Sequence, residues 1–194
     1  LREKRRKQAT DDLISKLTYA QVDGRPLTDW EFDNNFLLLI VAGHETTRQA
    51  IIHGMEAFNQ HPEQISRLQN NPELMPTAVE EILRWSTPVL HFRRETIRAG
   101  DKVVLWFISA NRDEEVFSHP YQFDVGRTPN DHVTFGKTGV HYCLGTHLAR
   151  LEVTVVFEEL LPYLHRMQLT GKPLRMRSNF TNGIRYLPIR VKPE

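Results

Sequence analysis

One long helix is the feature that most constrains the fold of this chain. Thr28 and Glu31 are spaced as a capping box, in which two side chains satisfy backbone amides at a helix N-terminus. The helical pattern continues without proline to about residue 59, so a helix is predicted over Asp29–Asn59. At its centre the run from Phe36 to Ala42 is apolar on every side, which predicts burial all round.

Shorter helices and turns are predicted on both sides of this segment. Residues 1–18 read as helical and highly charged, and residues 22–27 as a turn containing Gly24. Pro62 and Pro72 fit first helical positions, with Asn71 as the cap of the second helix. The amphipathic segment 77–85 predicts a helix that stops before Pro88.

The second half of the chain adds a small amount of β-structure. A strand is predicted over 102–110, followed by an irregular segment over 111–132 that is long for a compact domain. A helix is expected from Leu144 to about Tyr163, and residues 182–191 alternate like the arm of a β-hairpin. The predicted fold class is therefore mainly α with minor antiparallel β, in a single domain over residues 1–194.

Composition excludes several classes of function. The 25 basic and 24 acidic residues nearly cancel, so nothing indicates a nucleic-acid-binding protein. The longest apolar run has seven residues, whereas a membrane-spanning helix needs about 20, so no membrane span is predicted. One cysteine rules out an internal disulfide and fits a reducing compartment, and no signal-peptide pattern is present, so a cytoplasmic location is expected.

The polar run directly after the apolar centre of the long helix has two interpretations. Gly43 costs helix stability, and Glu45 is expensive to bury without a partner. The run is either a polar helix face emerging from the core, or a break where a ligand lies flat against bare backbone. In the second case Glu45 and Thr46 would offer an acid and a hydroxyl for proton delivery.

Cys143, the only cysteine, lies in a loop rich in glycine: Gly136, Gly139 and Gly145. A packing role favours a regular apolar element, a nucleophile would need His141 as its base, and zinc would need companion ligands. The remaining option is a single thiolate on a metal that brings its other ligands, as a porphyrin does. The glycines would admit a flat ring, and the N-terminus of the following helix would stabilise a thiolate.

Two further patterns gain meaning only from their order in the chain. Glu81 and Arg84 are three residues apart and can pair on one helix face. Arg127 ends the irregular pattern F-x-x-P-x-x-F-x-x-x-R, from which an arginine can clamp a carboxylate.

Four motifs follow one another as they do in one known family: "AGHETT" at 42–47, "EILR" at 81–84, "FSHPYQFDVGR" at 117–127 and "FGKTGVHYCLG" at 135–145. In this order they resemble the C-terminal half of a cytochrome P450, a haem-thiolate monooxygenase. The amino-acid sequences of these motifs are most similar to those of soluble bacterial members that act on steroids and other lipids. The resemblance implies the C-terminal, haem-binding part of the cytochrome P450 fold, with the N-terminal half absent.

The resemblance also implies roles for individual residues. Cys143 would be the axial thiolate and the one protein ligand of the iron, and Glu45 and Thr46 would deliver protons during catalysis. The residues expected to bind haem b are Ala42, Gly43, Arg94, Phe135, Gly136, His141, Cys143 and Gly145. Among these, Arg94 and His141 would hold the haem propionates. Glu81, Arg84 and Arg127 would lock the irregular segment.

The implied reaction inserts one atom of O2 into a hydrophobic, steroid- or lipid-like substrate, with electrons from a ferredoxin-type redox partner. Lys137 and Arg150 flank the cysteine loop and are candidates for docking an acidic ferredoxin. The alternatives are a truncated, non-catalytic haem-binding or interaction fragment, and a helical binding module in which Cys143 is inert.

Two departures from the family pattern stand out. Between Gly136 and His141 the cysteine loop has one residue more than in many members, a variant that some lipid-oxidising members share. The stretch "HFRRETIRAGDKV" at 91–103 is shorter than in most members, which have a short strand pair there.

Overall fold

The structure, a computed structural model, describes residues 1–95, 101–137 and 139–193. The chain forms two compact units, Leu1–Glu45 and Thr46–Glu194. Residues 96–100, within the stretch 91–103 that is expected to be short, lie outside the described residues. The single domain expected from the sequence stays a prediction.

The first unit begins with two short helices, α1 (Arg2–Lys7) and α2 (Leu13–Thr18), rather than the continuous helix expected over 1–18. The chain breaks between them because Asp12 caps α2: its Oδ1 accepts the Ser15 amide at 2.7 Å. The hairpin β1 (Gln21–Val22) and β2 (Arg25–Pro26) follows. Asp23 and Gly24 form its turn with φ of 51° and 77°, which confirms the turn predicted at 22–27.

Helix α3 (Asp29–Gln60) is the long helix predicted from the sequence, and Gly43 does not interrupt it. The capping box is confirmed: the Glu31 amide donates to Thr28 Oγ1 at 3.2 Å, and the Thr28 amide donates to Glu31 Oε2 at 2.9 Å. Complete burial of the apolar centre is wrong, because Leu38 and Val41 are 63% and 57% exposed. Only one side of α3 meets the short helices of its unit, where Phe36 and Leu39 line a groove with α2.

The second unit continues with a series of helices and short strands. In chain order they are α4 (Pro62–Asn70), a 3-10 turn (Pro72–Leu74), α5 (Met75–Ser86), β3 (His91–Glu95), β4 (Lys102–Trp106), α6 (Phe107–Ala110), α7 (Thr146–Leu160), a 3-10 turn (Leu164–Arg166), β5 (Met167–Leu169), β6 (Leu174–Arg175), β7 (Ile184–Tyr186) and β8 (Ile189–Val191). The strands pair antiparallel as β3 with β4, β5 with β8 and β6 with β7. This confirms a mainly α fold with minor antiparallel β.

Some caps and ends of helices and strands differ from those expected from the sequence. Pro62 and Pro72 do open helical turns, but Asn71 is not a side-chain cap, because its Nδ2 donates back to the Arg67 carbonyl. The strand expected over 102–110 ends at Trp106, because residues 107–110 form the short helix α6, in which the Asn111 amide donates to the Phe107 carbonyl at 2.9 Å. The two tail strands pair with β5 and β6 rather than with each other.

The core of the second unit lies where α3, α5 and α7 meet. Phe58 contacts Phe123 and Phe157 with ring centroids 5.4 and 5.5 Å apart, and all three are fully buried. Ile82 on α5 and Val153 on α7 complete the same cluster. In the described part of the chain, no helix combines the length and apolar character that crossing a membrane requires.

Candidate active site around Cys143

A buried carboxylate on α5 organises the segment that leads to the cysteine loop. Glu81 accepts from Arg84 at 2.7 and 2.8 Å and from Arg127 Nε at 3.0 Å. Its oxygens also accept the Asp124 amide at 3.0 Å and Asn130 Nδ2 at 3.1 Å. The terminal nitrogens of both guanidinium groups also donate to backbone carbonyls between residues 111 and 122. The expected lock of Glu81, Arg84 and Arg127 on the irregular segment is confirmed.

Asn111 is a second anchor, which the sequence did not reveal. Its side chain is fully buried, donates to Thr87 Oγ1 and Thr134 Oγ1 at 2.9 Å each, and accepts the Val133 amide at 2.8 Å. One amide group therefore ties the end of α5 to the residues just before the cysteine loop. No periodicity marks such a residue, because its partners lie more than twenty positions away in sequence.

The cysteine loop is closed by its own backbone. The Cys143 amide donates to the Phe135 carbonyl at 2.9 Å, and the Tyr142 amide donates to the Gly139 carbonyl at 3.1 Å. Gly136 and Gly139 have φ of 77° and 94°, in the left-handed region that favours glycine. Glycine is favoured at both positions because a side chain would strain the backbone at these φ values.

Helix α7 begins three residues after the sulfur. Gly145 stands at its N-cap position, and Thr146 Oγ1 donates to the Cys143 carbonyl at 2.7 Å. The helix starts two residues later than the predicted Leu144 and ends at Leu160 instead of Tyr163. The N-terminus of a helix favours negative charge nearby, so this position suits a thiolate.

The surroundings of the Cys143 sulfur are open and largely apolar. Cys143 is half-buried, while Val140 and Leu144 beside it are 97% and 81% exposed. A Cβ added at Gly145 would lie 3.9 Å from the sulfur, and one added at Gly139 would meet nothing within 4 Å. The loop therefore leaves Cys143 only partly buried.

A second ion-pair network joins α5 to the two segments that flank the cysteine loop. Glu80, next to Glu81 on α5, accepts from Arg150 of α7 at 2.5 and 2.9 Å and from His132 at 3.0 Å. Burial by itself raises the pKa of Glu80, but the bonds from Arg150 and His132 outweigh it and lower the pKa to about 2. Arg150 is thus committed to Glu80, which does not favour its interpretation as a docking cation. Lys137 is exposed, 3.8 Å from Asp131.

The remaining sequence-predicted site residues are placed as follows. Ala42 and Gly43 are exposed and Glu45 is half-buried on the part of α3 in the first unit, and Thr46 is half-buried in the second unit. Phe135 is half-buried beneath the Arg150 guanidinium, 4.8 Å from its ring centroid, and His141 is exposed. Arg94 lies in β3, but its side chain is outside what the structure describes.

The donor set restricts the kind of metal centre that this loop can hold. Among the described residues no three His, Cys, Asp or Glu side chains are grouped as metal ligands, and Cys143 is the only cysteine. An ion bound here would have one protein ligand and would have to carry its others. A half-buried cysteine, bare glycine backbone and exposed apolar side chains next to it in sequence fit a planar macrocycle that carries iron.

Comparisons with known proteins agree with this geometry. The chain is 46% identical over 200 residues to the methyl-branched lipid omega-hydroxylase of Mycobacterium tuberculosis, with 97% of this chain and 47% of that protein covered. It is 40% identical to the steroid C26-monooxygenase of the same species, with 95% and 44% covered. The chain therefore spans about half the length of the curated relatives it matches.

The fold of this chain also matches that of a solved structure. A cytochrome P450 of Mycobacterium marinum in complex with pseudoionone superimposes with a TM-score of 0.91 at 44% identity, covering 97% of this chain and 48% of that one. The sequence profile of the family described as Cytochrome P450 matches residues 1–183. The four ordered motifs, the buried glutamate–arginine lock and the cysteine loop thus have a common explanation: this chain belongs to the cytochrome P450 family.

Proposed function

We propose that this chain is the haem-binding C-terminal part of a bacterial monooxygenase that inserts one oxygen atom from O2 into a hydrophobic substrate. The observation that carries the proposal is Cys143, a lone, half-buried thiol three residues before a helix, in a loop with two glycines of positive φ. Membership of the cytochrome P450 family supports the same assignment.

Within this proposal Cys143 is the protein ligand of haem b, which supplies the activation of O2 when it is bound. Arg94 and His141 hold the propionates, and His141 is exposed and available for that contact. Phe135 packs beside the sulfur. Small residues keep the faces of the ring clear: Ala42, Gly43, Gly136 and Gly145.

Glu45 and Thr46 are proposed to hold and transfer protons during oxygen activation. They are adjacent on α3, directly after the apolar run, and both are half-buried, so that neither is fully solvated. An acid and a hydroxyl in consecutive positions can pass a proton from solvent toward a buried reaction site.

The substrate class is proposed to be steroid- or lipid-like. The relatives are named for a methyl-branched lipid and a steroid, and the solved neighbour was crystallised with pseudoionone. A ferredoxin-type protein is proposed as the electron donor, and exposed Lys137 remains a candidate contact for it. The single cysteine is consistent with a cytoplasmic, reducing setting.

The proposal is tested by expressing the full chain with ample haem and recording the spectrum of the reduced, carbon-monoxide-bound form. We expect the red-shifted band of thiolate ligation in the parent and its loss in Cys143→Ser. Val140→Ser is the matched control, because it introduces serine at a 97% exposed position of the same loop. No Soret band in any variant would refute the haem proposal, and a band unchanged in Cys143→Ser would refute the ligand.

Substrate binding is tested on the same haem-loaded chain. We expect a spin-state shift with at least one probe from a panel of a methyl-branched fatty acid, a cholestane-type steroid and pseudoionone. A thiolate-ligated haem that responds to none of these probes would favour the alternative, a non-catalytic haem-binding fragment. That alternative has its own support in the half-length coverage and in the exposed apolar centre of α3.

A further inference from the structure

Glu80 and Glu81 are consecutive residues of α5 that hold two different parts of the chain. Glu81 binds the irregular segment through Arg84 and Arg127, as described above. Glu80 points instead to the cysteine loop and α7, where it binds Arg150 and His132. None of the family motifs quoted from the sequence includes Glu80, Arg150 or His132.

Arg150 connects this carboxylate to both flanks of Cys143. Its guanidinium donates two hydrogen bonds to the Glu80 carboxylate and lies over the Phe135 ring, 4.8 Å from the centroid. Arg150 itself belongs to α7, whose first residue, Thr146, donates from Oγ1 to the Cys143 carbonyl at 2.7 Å. On the other flank, Phe135 provides the carbonyl that accepts the Cys143 amide at 2.9 Å. A planar, five-donor group can make these contacts at the same time, whereas an ammonium cannot.

His132 completes the network from the side of the irregular segment. The Thr134 amide donates to His132 Nδ1 at 3.3 Å, so Nδ1 is an acceptor and Nε2 carries the hydrogen that is donated to Glu80. The His132 side chain is only 3% exposed, and its ring contacts that of Phe135 with centroids 6.0 Å apart. The carboxylate therefore receives three donors from two segments that both reach Phe135.

We infer that Glu80 is a positioning residue for the thiol of Cys143, acting through Arg150 and His132 on the two flanks of the loop. The inference deepens the proposed function and rests on it for its purpose, because a sulfur that ligates iron must be held at a fixed place. The contacts themselves are independent of that function.

The first test compares haem-loaded parent chain with Glu80→Gln, which keeps the shape of the side chain but removes its charge. In the reduced, carbon-monoxide-bound form, we expect the ratio of thiolate-ligated to non-thiolate species to fall about fivefold, the change that ~1 kcal/mol of lost local stability produces. Glu73→Gln is the matched control, because Glu73 is exposed on the turn before α5. It should keep the parent ratio.

Arg150→Lys is the second variant and decides the matter if Glu80→Gln fails to fold. It keeps the positive charge but cannot fork Glu80 while covering Phe135, so the same fall in the ratio is expected. A parent-like ratio in every folded variant of this pair would overturn the inference.

A second measurement separates this inference from the proposed function. Because Cys143 is the only cysteine, iodoacetamide labelling of the full chain purified without haem reports on this loop alone. We expect labelling about fivefold faster in Glu80→Gln than in the parent, with a rate that does not change in dilute urea, as for local opening. If neither the parent nor any variant binds haem, the proposed function fails. The labelling rate still tests whether Glu80 positions the cysteine loop. A parent-like rate, or an increase seen only as urea unfolds the chain, would overturn the positioning role.

Discussion

Glu81 and Arg84 lie one turn apart on α5 and are joined by two hydrogen bonds of 2.7 and 2.8 Å, with neither side chain exposed. Arg127 reaches the same carboxylate from the irregular segment. Three charges thus share one dry site, with two positive groups compensated by a single negative one. The arrangement holds residues 111–127 in place without any helix or strand between residues 111 and 127.

The charge of Glu81 is therefore predicted to be essential for stability. Glu81→Gln would leave two buried guanidinium groups without a counter-charge, and the free energy of unfolding should fall by about 3–5 kcal/mol. Urea denaturation followed by circular dichroism measures this change. Exposed Glu73→Gln should stay within about 0.5 kcal/mol of the parent. A loss below about 1 kcal/mol in Glu81→Gln would contradict the buried pairing.

Two glycines of α3 are predicted to respond oppositely to alanine. A Cβ at Gly54 would lie 2.6 Å from Cζ of Phe157 and 3.0 Å from Cγ2 of Ile82, so Gly54→Ala should destabilise by about 1–3 kcal/mol through overpacking. A Cβ at Gly43 meets nothing within 4 Å, so Gly43→Ala should stabilise the chain by about 0.5–1 kcal/mol. Thermal unfolding of the two variants measures both signs, and equal signs would show that one of these environments is wrong.

His53 is predicted to make stability depend on pH. It is 4% exposed, and burial lowers its pKa from the ordinary 6.5 to about 4, although a hydrogen bond to the Asn182 carbonyl opposes the shift. Between these pH values the unfolded chain binds the extra proton. The contribution of neutral His53 to the free energy of unfolding is therefore complete above pH 6.5. It is lost as the pH falls toward 4, by up to about 3 kcal/mol.

This prediction is checked by urea unfolding at several pH values between 4 and 7. His53→Gln should flatten the dependence in that range, because glutamine does not titrate. The exposed histidine His147 provides the control, since His147→Gln should leave the dependence as in the parent. A slope that is the same in parent and His53→Gln would assign the pH effect to other groups.

Thr46→Ala tests the proposed proton transfer. Removing the hydroxyl should lower the ratio of product formed to O2 consumed, with more peroxide released, while the spectrum of thiolate ligation stays as in the parent. The ratio is measured with the probe that gives the largest spin-state shift. Thr77→Ala on α5 is a control that removes a hydroxyl elsewhere, and parent-like coupling in Thr46→Ala would remove Thr46 from the proton path.

Local patterns predicted local structure well. The capping box at Thr28 and Glu31, the start of α4 at Pro62 and the end of α5 before Pro88 each depend on neighbouring residues, and all are present. Other predictions failed, both for local reasons and where packing decides. Asp12 caps a second helix within residues 1–18, and Leu38 is exposed because its unit packs against only one side of α3.

In the candidate site, the lock of Glu81 with Arg84 and Arg127 was predicted from ordered motifs and is confirmed, whereas the role of Cys143 stays a prediction. The contacts of Asn111 and Glu80 were not predicted, because their partners lie more than twenty residues away and no spacing rule connects them. Such residues become visible only when the folded chain brings their donors and acceptors together.

The two adjacent glutamates of α5 also limit how this helix can change length. One helical residue corresponds to a rotation of about 100° and a rise of about 1.5 Å, and this rotation lets neighbouring carboxylates face separate segments. Inserting or deleting a single residue inside α5, between Met75 and Glu80, would turn both carboxylates away from their partners at once. We therefore expect changes of length to be tolerated only in the turns at the two ends of α5, whereas substitutions leave both carboxylates in place.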